Sequence, residues 1–122
     1  MAIPTADAEY HLLTYTDINE AAAFVAALSR FLSSPQGSKY FRPSAPAEVW
    51  SRVLGPAYDI ERIEVYLNAS AVAAVTELFL RPPSFEKLRG SQMPLDCISL
   101  IGAGGAEAWG LEEAQWHMLS ER

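Results

Sequence analysis

Apolar positions recur along this chain in two rhythms, every second residue and then every third or fourth, and the pair of rhythms occurs twice. Residues 9–15 alternate as a short strand ending in tyrosine, Asp17 follows as a polar cap, and residues 18–32 carry apolar side chains at helical spacing. The succession returns in residues 61–67, Asn68 and residues 69–80. Aligning the copies sets Tyr15 on Tyr66 and Asp17 on Asn68, which predicts two βα units.

The first helix has the fuller set of signals. Asp17 can accept free N–H groups of the first turn, and Glu20 stands where it could reach back and complete a capping box; both charges suit the positive end of the helix dipole. Ala21, Ala22, Val25, Leu28 and Leu32 share one face, widened by Phe24 and Phe31. Ser33, Ser34, Pro35 and Gly37 end the helix. In the second helix Asn68 is the cap, Val72, Val75, Leu78 and Phe79 form the buried edge, and Arg81 before Pro82 marks the stop. Two shorter helices are predicted. One runs from Pro46 through Val49, Trp50, Val53 and Leu54 to Gly55, and the other from Ser84 through Leu88 to Gly90.

In residues 62–67 the alternation places Ile63, Val65 and Leu67 on one side of a sheet, toward the helices, and Arg62, Glu64 and Tyr66 on the other. If Tyr15 and Tyr66 are equivalent, Leu12 also points to the helices. His11, Leu13 and Tyr15 then share the opposite face with Arg62, Glu64 and Tyr66. Residues 97–101 are apolar on both sides, as a central strand would be, and residues 39–42 supply a fourth strand. The expected fold is a single α+β domain over residues 1–122: a ferredoxin-like two-layer sandwich in which an antiparallel sheet of about four strands carries two long helices on one face, with a short inserted helix. Residues 109–119 fit a helix face through Leu111, Ala114, Gln115 and Met118, or a strand through Ala114, Trp116 and Met118; their residue types favour helix.

Composition narrows the functional classes. Half of the 122 residues are hydrophobic and a fifth are charged, the balance of a globular domain. Nine Lys and Arg against fifteen Asp and Glu give a net charge of −6, and no basic stretch offers a footprint for phosphates. Direct nucleic-acid binding is therefore not expected. Cys97, the single cysteine, cannot form an internal disulfide, and residues 1–8 lack the charged and apolar regions of a secretory signal, so the expected compartment is the cytoplasm. No run approaches the ~18 apolar residues of a membrane span.

Candidate chemistry is sparse. The glycine-rich run Gly102-Ala103-Gly104-Gly105 follows an apolar strand, but a dinucleotide site needs a helix, a second strand and an acidic residue about 20 positions on. Gly110 interrupts that helix, and no Gly-Lys-Ser or Gly-Lys-Thr forms a P-loop. No cofactor is expected. His11, His117 and Cys97 have no second ligand at metal-binding spacing, so no metal is expected either. Glu112 and Glu113 are adjacent and would diverge on a helix, which suits a solvated face. Trp109 and Trp116 would share a helix face as core or interface.

The remaining feature is the sheet face away from the helices. His11, Leu13, Tyr15, Arg62, Glu64 and Tyr66 combine rings, charges and apolar area in the manner of a specific interface. Two functions compete. The first is a non-catalytic acidic binding or regulatory module acting by protein–protein contact or self-association, as a homodimer, with a basic protein as another possible partner. The second, by analogy of fold alone, is a small cofactor-free enzyme of the dimeric α+β barrel type acting on a small aromatic or carboxylate-bearing molecule. His11 would be its general base, and Tyr15, Tyr66 or Arg62 would orient the substrate. Scarcity of catalytic residue types favours the binding module.

Overall fold

The computed structural model describes residues 4–41, 46–54, 62–81 and 84–101. The glycine-rich run and residues 109–119 lie outside them. The elements are strand β1 (Glu9–Tyr15), helix α1 (Ile18–Ser33), a 3-10 turn (Ser38–Phe41), β2 (Val49–Leu54), β3 (Arg62–Asn68), α2 (Ala69–Leu78), β4 (Glu86–Arg89), a second 3-10 turn (Gly90–Gln92) and β5 (Ile98–Ile101). The five strands form one antiparallel sheet in the order β4-β1-β3-β2-β5. The architecture is α+β, and among the described residues no helix is long and apolar enough to cross a membrane.

Both helices begin at their predicted caps. Asp17 Oδ1 accepts from Asn19 N at 2.8 Å, and Asn68 Oδ1 accepts from Ala71 N at 3.0 Å. Among the described residues the reciprocal Glu20 bond of a capping box is not formed; Glu20 contributes only its charge to the first turn. Ala21, Val25, Leu28 and Leu32 are wholly buried, as are Ala71, Ala74 and Val75 of α2. They close over Leu13, Val49, Ile63, Val65, Leu67 and Leu100 in one core. Each large side chain so buried contributes roughly 1.5–3 kcal/mol.

Local expectations fail where long-range pairing decides. Residues 49–54 are a strand and not the inserted helix. Their apolar positions suit either period, but β2 gains ladders to β3 on one side and β5 on the other, and its Arg52 lies directly opposite Glu64. Residues 86–89 are likewise a strand, paired with β1, where a helical turn was predicted. Residues 39–41, expected within a strand over residues 39–42, belong instead to the 3-10 turn Ser38–Phe41, held by Tyr40 N donating to Gly37 O at 3.1 Å; residue 42 lies outside the described residues. Residues 98–101 form an edge strand, and β3 takes the centre, with Ile63, Glu64, Val65, Tyr66 and Leu67 all buried.

The facing of β1 is also corrected. Leu13 pairs with Val65, His11 with Leu67 and Tyr15 with Ile63, so these three β1 residues face the helices. Leu12 pairs with Tyr66 on the other side. A shift of one residue in parity moves every side chain of a strand to the opposite face. Thr16 separates the end of β1 from its cap, whereas Asn68 is at once the last residue of β3 and the cap of α2, so the two βα units are not equivalent in parity.

Candidate functional site

The six residues expected on one face divide between two. Leu13 lies in the helix-side core, and Tyr15 packs there against Phe24, their ring centres 6.0 Å apart. His11 is 8 % exposed; its Nε2 lies 3.1 Å from Glu9 Oε1, and its ring meets Phe85 edge-on at 5.8 Å. Arg62, Glu64 and Tyr66 occupy the other face, and the sheet separates them from His11 and Tyr15. A constellation of His11 base with Tyr66 or Arg62 as orienting groups therefore cannot converge on one substrate.

On that other face a second, smaller core forms from Tyr10, Trp50, Tyr66 and Met93, with Ala8, Leu12, Leu88 and Cys97 packed against it. Its rings are held by their polar tips. Glu48 Oε1 accepts from the Tyr10 hydroxyl at 3.3 Å and from the Trp50 indole N–H at 3.2 Å, and Glu48 Oε2 accepts from Asn68 Nδ2 at 3.4 Å. Glu64 Oε1 accepts from the Tyr66 hydroxyl at 2.9 Å. Arg52 Nη1 lies 3.4 Å from Glu64 Oε1 and Arg62 Nη2 3.3 Å from Glu64 Oε2, while Arg52 Nε reaches Asp96 Oδ1 at 3.0 Å. The result is a chain of alternating charge, Arg62–Glu64–Arg52–Asp96, along one side of an aromatic cluster.

Topology explains how this face is covered. β4 and β5 lie at opposite edges of the sheet, so the connection between them must cross a face. Four strand spacings amount to about 19 Å, within the roughly 27 Å that eight extended residues can span. Residues 90–97 cross on the side away from the helices, placing Met93, 5 % exposed, and Cys97 against the rings. The face expected to be open carries a strap. At its crest Leu95 is fully exposed, with Asp96 next to it.

The electrostatics follow from this burial. Burial, and then the hydrogen bond and charge of Glu64, raise the Tyr66 hydroxyl far above the ordinary phenol range. Burial and then the charge of Asp96 push the Cys97 thiol up to about 12, against the opposing pull of Arg52. Cys97 is thus a protonated thiol at neutral pH, the reverse of what an activated nucleophile requires. The oxygens of Glu48 and Glu64 already accept from donors within the fold. Among the described residues, no group of three or more His, Cys, Asp or Glu side chains could hold a metal ion.

Tyr10, Glu48, Trp50, Arg52, Met93 and Asp96 were not singled out as site residues from the sequence. A signal was present: Glu48, Trp50 and Arg52 alternate in the same way as Glu64, Tyr66 and Asn68. Reading residues 46–54 as a helix concealed it. Compared with protein-family models, curated proteins and solved structures, the chain matches none.

Proposed function

We propose that the chain is a non-catalytic acidic binding module of ferredoxin-like fold, acting in the cytoplasm and associating through the strapped face of its sheet. The order β4-β1-β3-β2, built from a βαββαβ succession, supports the fold reading, with β5 added beyond β2. One observation carries the functional reading: an exposed apolar side chain, Leu95, stands on the strap beside a chain of charges that ends in exposed groups of opposite sign. Asp96 is 64 % and Arg62 44 % exposed. An apolar anchor with a charged rim has the anatomy of a specific interface.

The occupant we favour is a second copy of the chain. A two-fold axis would set Arg62 of one copy toward Asp96 of the other, as a self-complementary isologous contact requires. Sedimentation velocity over a concentration series tests this. Wild type should dimerise, and Leu95→Asp should be monomeric with an unchanged circular dichroism spectrum. Wild type that remains monomeric throughout would overturn self-association, and the net charge of −6 then directs the search to a basic partner.

A further inference from the structure

We propose that the strap is a latched lid: residues 93–97 lift from the sheet between two fixed ends, released by opening of the Arg52–Asp96 ion pair, and bare the surface formed by Tyr10, Trp50 and Tyr66. This goes beyond the association proposed above and does not depend on it.

The two halves of the strap are held very differently. Its first half is bound to the N-terminal segment by backbone: Gly90 N donates to Ala8 O at 2.9 Å and Ser91 N to Ala6 O at 3.0 Å. Arg89 adds Nη1 to Asp7 O at 2.9 Å, and its own N–H donates to Gln92 Oε1 at 2.7 Å. Gly90 is seated so closely that a Cβ there would fall 1.9 Å from Thr5 O. Among the described residues, the second half shows no such ladder. Met93 N donates to Gly90 O at 3.2 Å and Cys97 N to Pro94 O at 3.4 Å, both within the strap itself, and Pro94 has no N–H to give. Among the described residues, the polar tie between residues 93–97 and the sheet is the Arg52–Asp96 pair, and Asp96 is 64 % exposed.

What lies beneath has its polar groups satisfied without the strap. Met93 and Cys97 bury rings whose hydroxyl and indole tips are satisfied by Glu48 and Glu64, not by the strap. Lifting the strap therefore strips no hydrogen bond from Tyr10, Trp50 or Tyr66. It exposes apolar ring surface and frees the Arg52 Nε, leaving Arg52 Nη1 on Glu64. The loss is one partly exposed ion pair, worth little in water, and the apolar burial of Met93, Cys97 and the ring surface beneath them. A segment with few backbone ties to the sheet is among the local openings a fold makes first.

Cys97 is the chain's single cysteine and lies partly buried on the strap, so a change in its rate of reaction with a neutral maleimide reports a change in opening. The variants Asp96→Asn and Arg52→Gln both break the latch, and each should speed labelling about two- to five-fold, the ratio an exposed ion pair supports. Electrostatics acting on the thiol alone predicts something else: Asp96 disfavours the thiolate and Arg52 favours it, so Asp96→Asn would label faster and Arg52→Gln slower. Opposite movements overturn the lid. In wild type, labelling should accelerate between about 0.05 M and about 1 M salt as the pair is screened, and should rise with low urea much less steeply than global unfolding does, because only the surface under the strap is exposed; a salt-independent rate, or one that tracks global unfolding, also overturns it. The dimer contact proposed above covers the same strap, so labelling is read on dilute protein that sedimentation shows to be monomeric; it then reports the lid alone, and Leu95→Asp reads association whether or not the strap opens.

Discussion

Glu48 and Asn68 hold each other three times, the Glu48 N–H donating to Asn68 Oδ1 at 3.0 Å, the Asn68 N–H to Glu48 O at 3.2 Å and Asn68 Nδ2 to Glu48 Oε2 at 3.4 Å. The same Asn68 side chain caps α2 through Ala71 N and donates from Nδ2 to Pro46 O at 2.8 Å. One amide thus joins the entry of β2, the end of β3 and the start of α2. Asn68→Ala removes the cap and leaves the Pro46 carbonyl and the Glu48 N–H without that partner, so it should destabilise by about 2–3 kcal/mol. Asp17→Ala removes a single exposed cap bond and should lose about 1 kcal/mol. Urea unfolding of both variants checks the ordering, and equal losses would mean that Asn68 acts as a cap alone.

The caps were legible because capping is local: a short polar side chain beside a run of helical spacing is readable within one turn of sequence. The facing of β1 was not. Tyr10, His11, Leu12, Leu13 and Tyr15 offer ring or apolar surface on both parities, so alternation alone leaves the strand undetermined, and the β1–β3 register decides it. β2 was hidden for a related reason. Val49, Trp50, Val53 and Leu54 satisfy either period, and only pairing to β3 and β5 selects the strand. The strap depends on which edges β4 and β5 occupy, a property of the assembled sheet that no local window contains.

Tyr66 carries two opposite substitutions. Tyr66→Phe keeps the buried ring and removes only the hydroxyl that donates to Glu64, whose oxygens retain Arg52 and Arg62. The expected loss is about 1–2 kcal/mol. Tyr66→Glu instead places a second carboxylate beside Glu64 at a position 2 % exposed, and should lose about 3–5 kcal/mol. Tyr66→Glu is therefore a test of the fold and not of the interface. A stable, folded Tyr66→Glu protein in urea unfolding would contradict the buried placement of this ring.

Gly90 seats the start of the strap. A Cβ at this position would meet Thr5 O at 1.9 Å and Tyr10 Cε2 at 3.1 Å, and the first of these is backbone that cannot rotate away. Gly90→Ala should destabilise by about 2–3 kcal/mol through displacement of the N-terminal segment. Thermal denaturation followed by near-ultraviolet circular dichroism would show it, with loss of the Tyr10 environment. An unchanged midpoint would mean that residues 5–8 do not lie on Gly90 in solution.

Alkaline pH should weaken the fold in two stages, because burial protects protons that the unfolded chain releases. Burial and then Asp96 raise the Cys97 thiol from its ordinary 9.0 to about 12, and burial likewise raises the hydroxyls of Tyr10, Tyr15 and Tyr66 above their ordinary 10.0. Below the unfolded value both states hold the proton and stability is level. Above it the unfolded state binds fewer protons than the folded one, so stability falls with pH until the folded group itself titrates. For Cys97 that window runs from 9.0 to about 12, and the tyrosines join from 10.0. Wild type measured by urea unfolding should thus be level from about pH 7 to about 9 and fall beyond it. Cys97→Ala should stay level to about pH 10 and then fall with a shallower slope, since only the tyrosines remain. Identical curves for the two proteins would show that the Cys97 thiol is not buried against Trp50 and Tyr66.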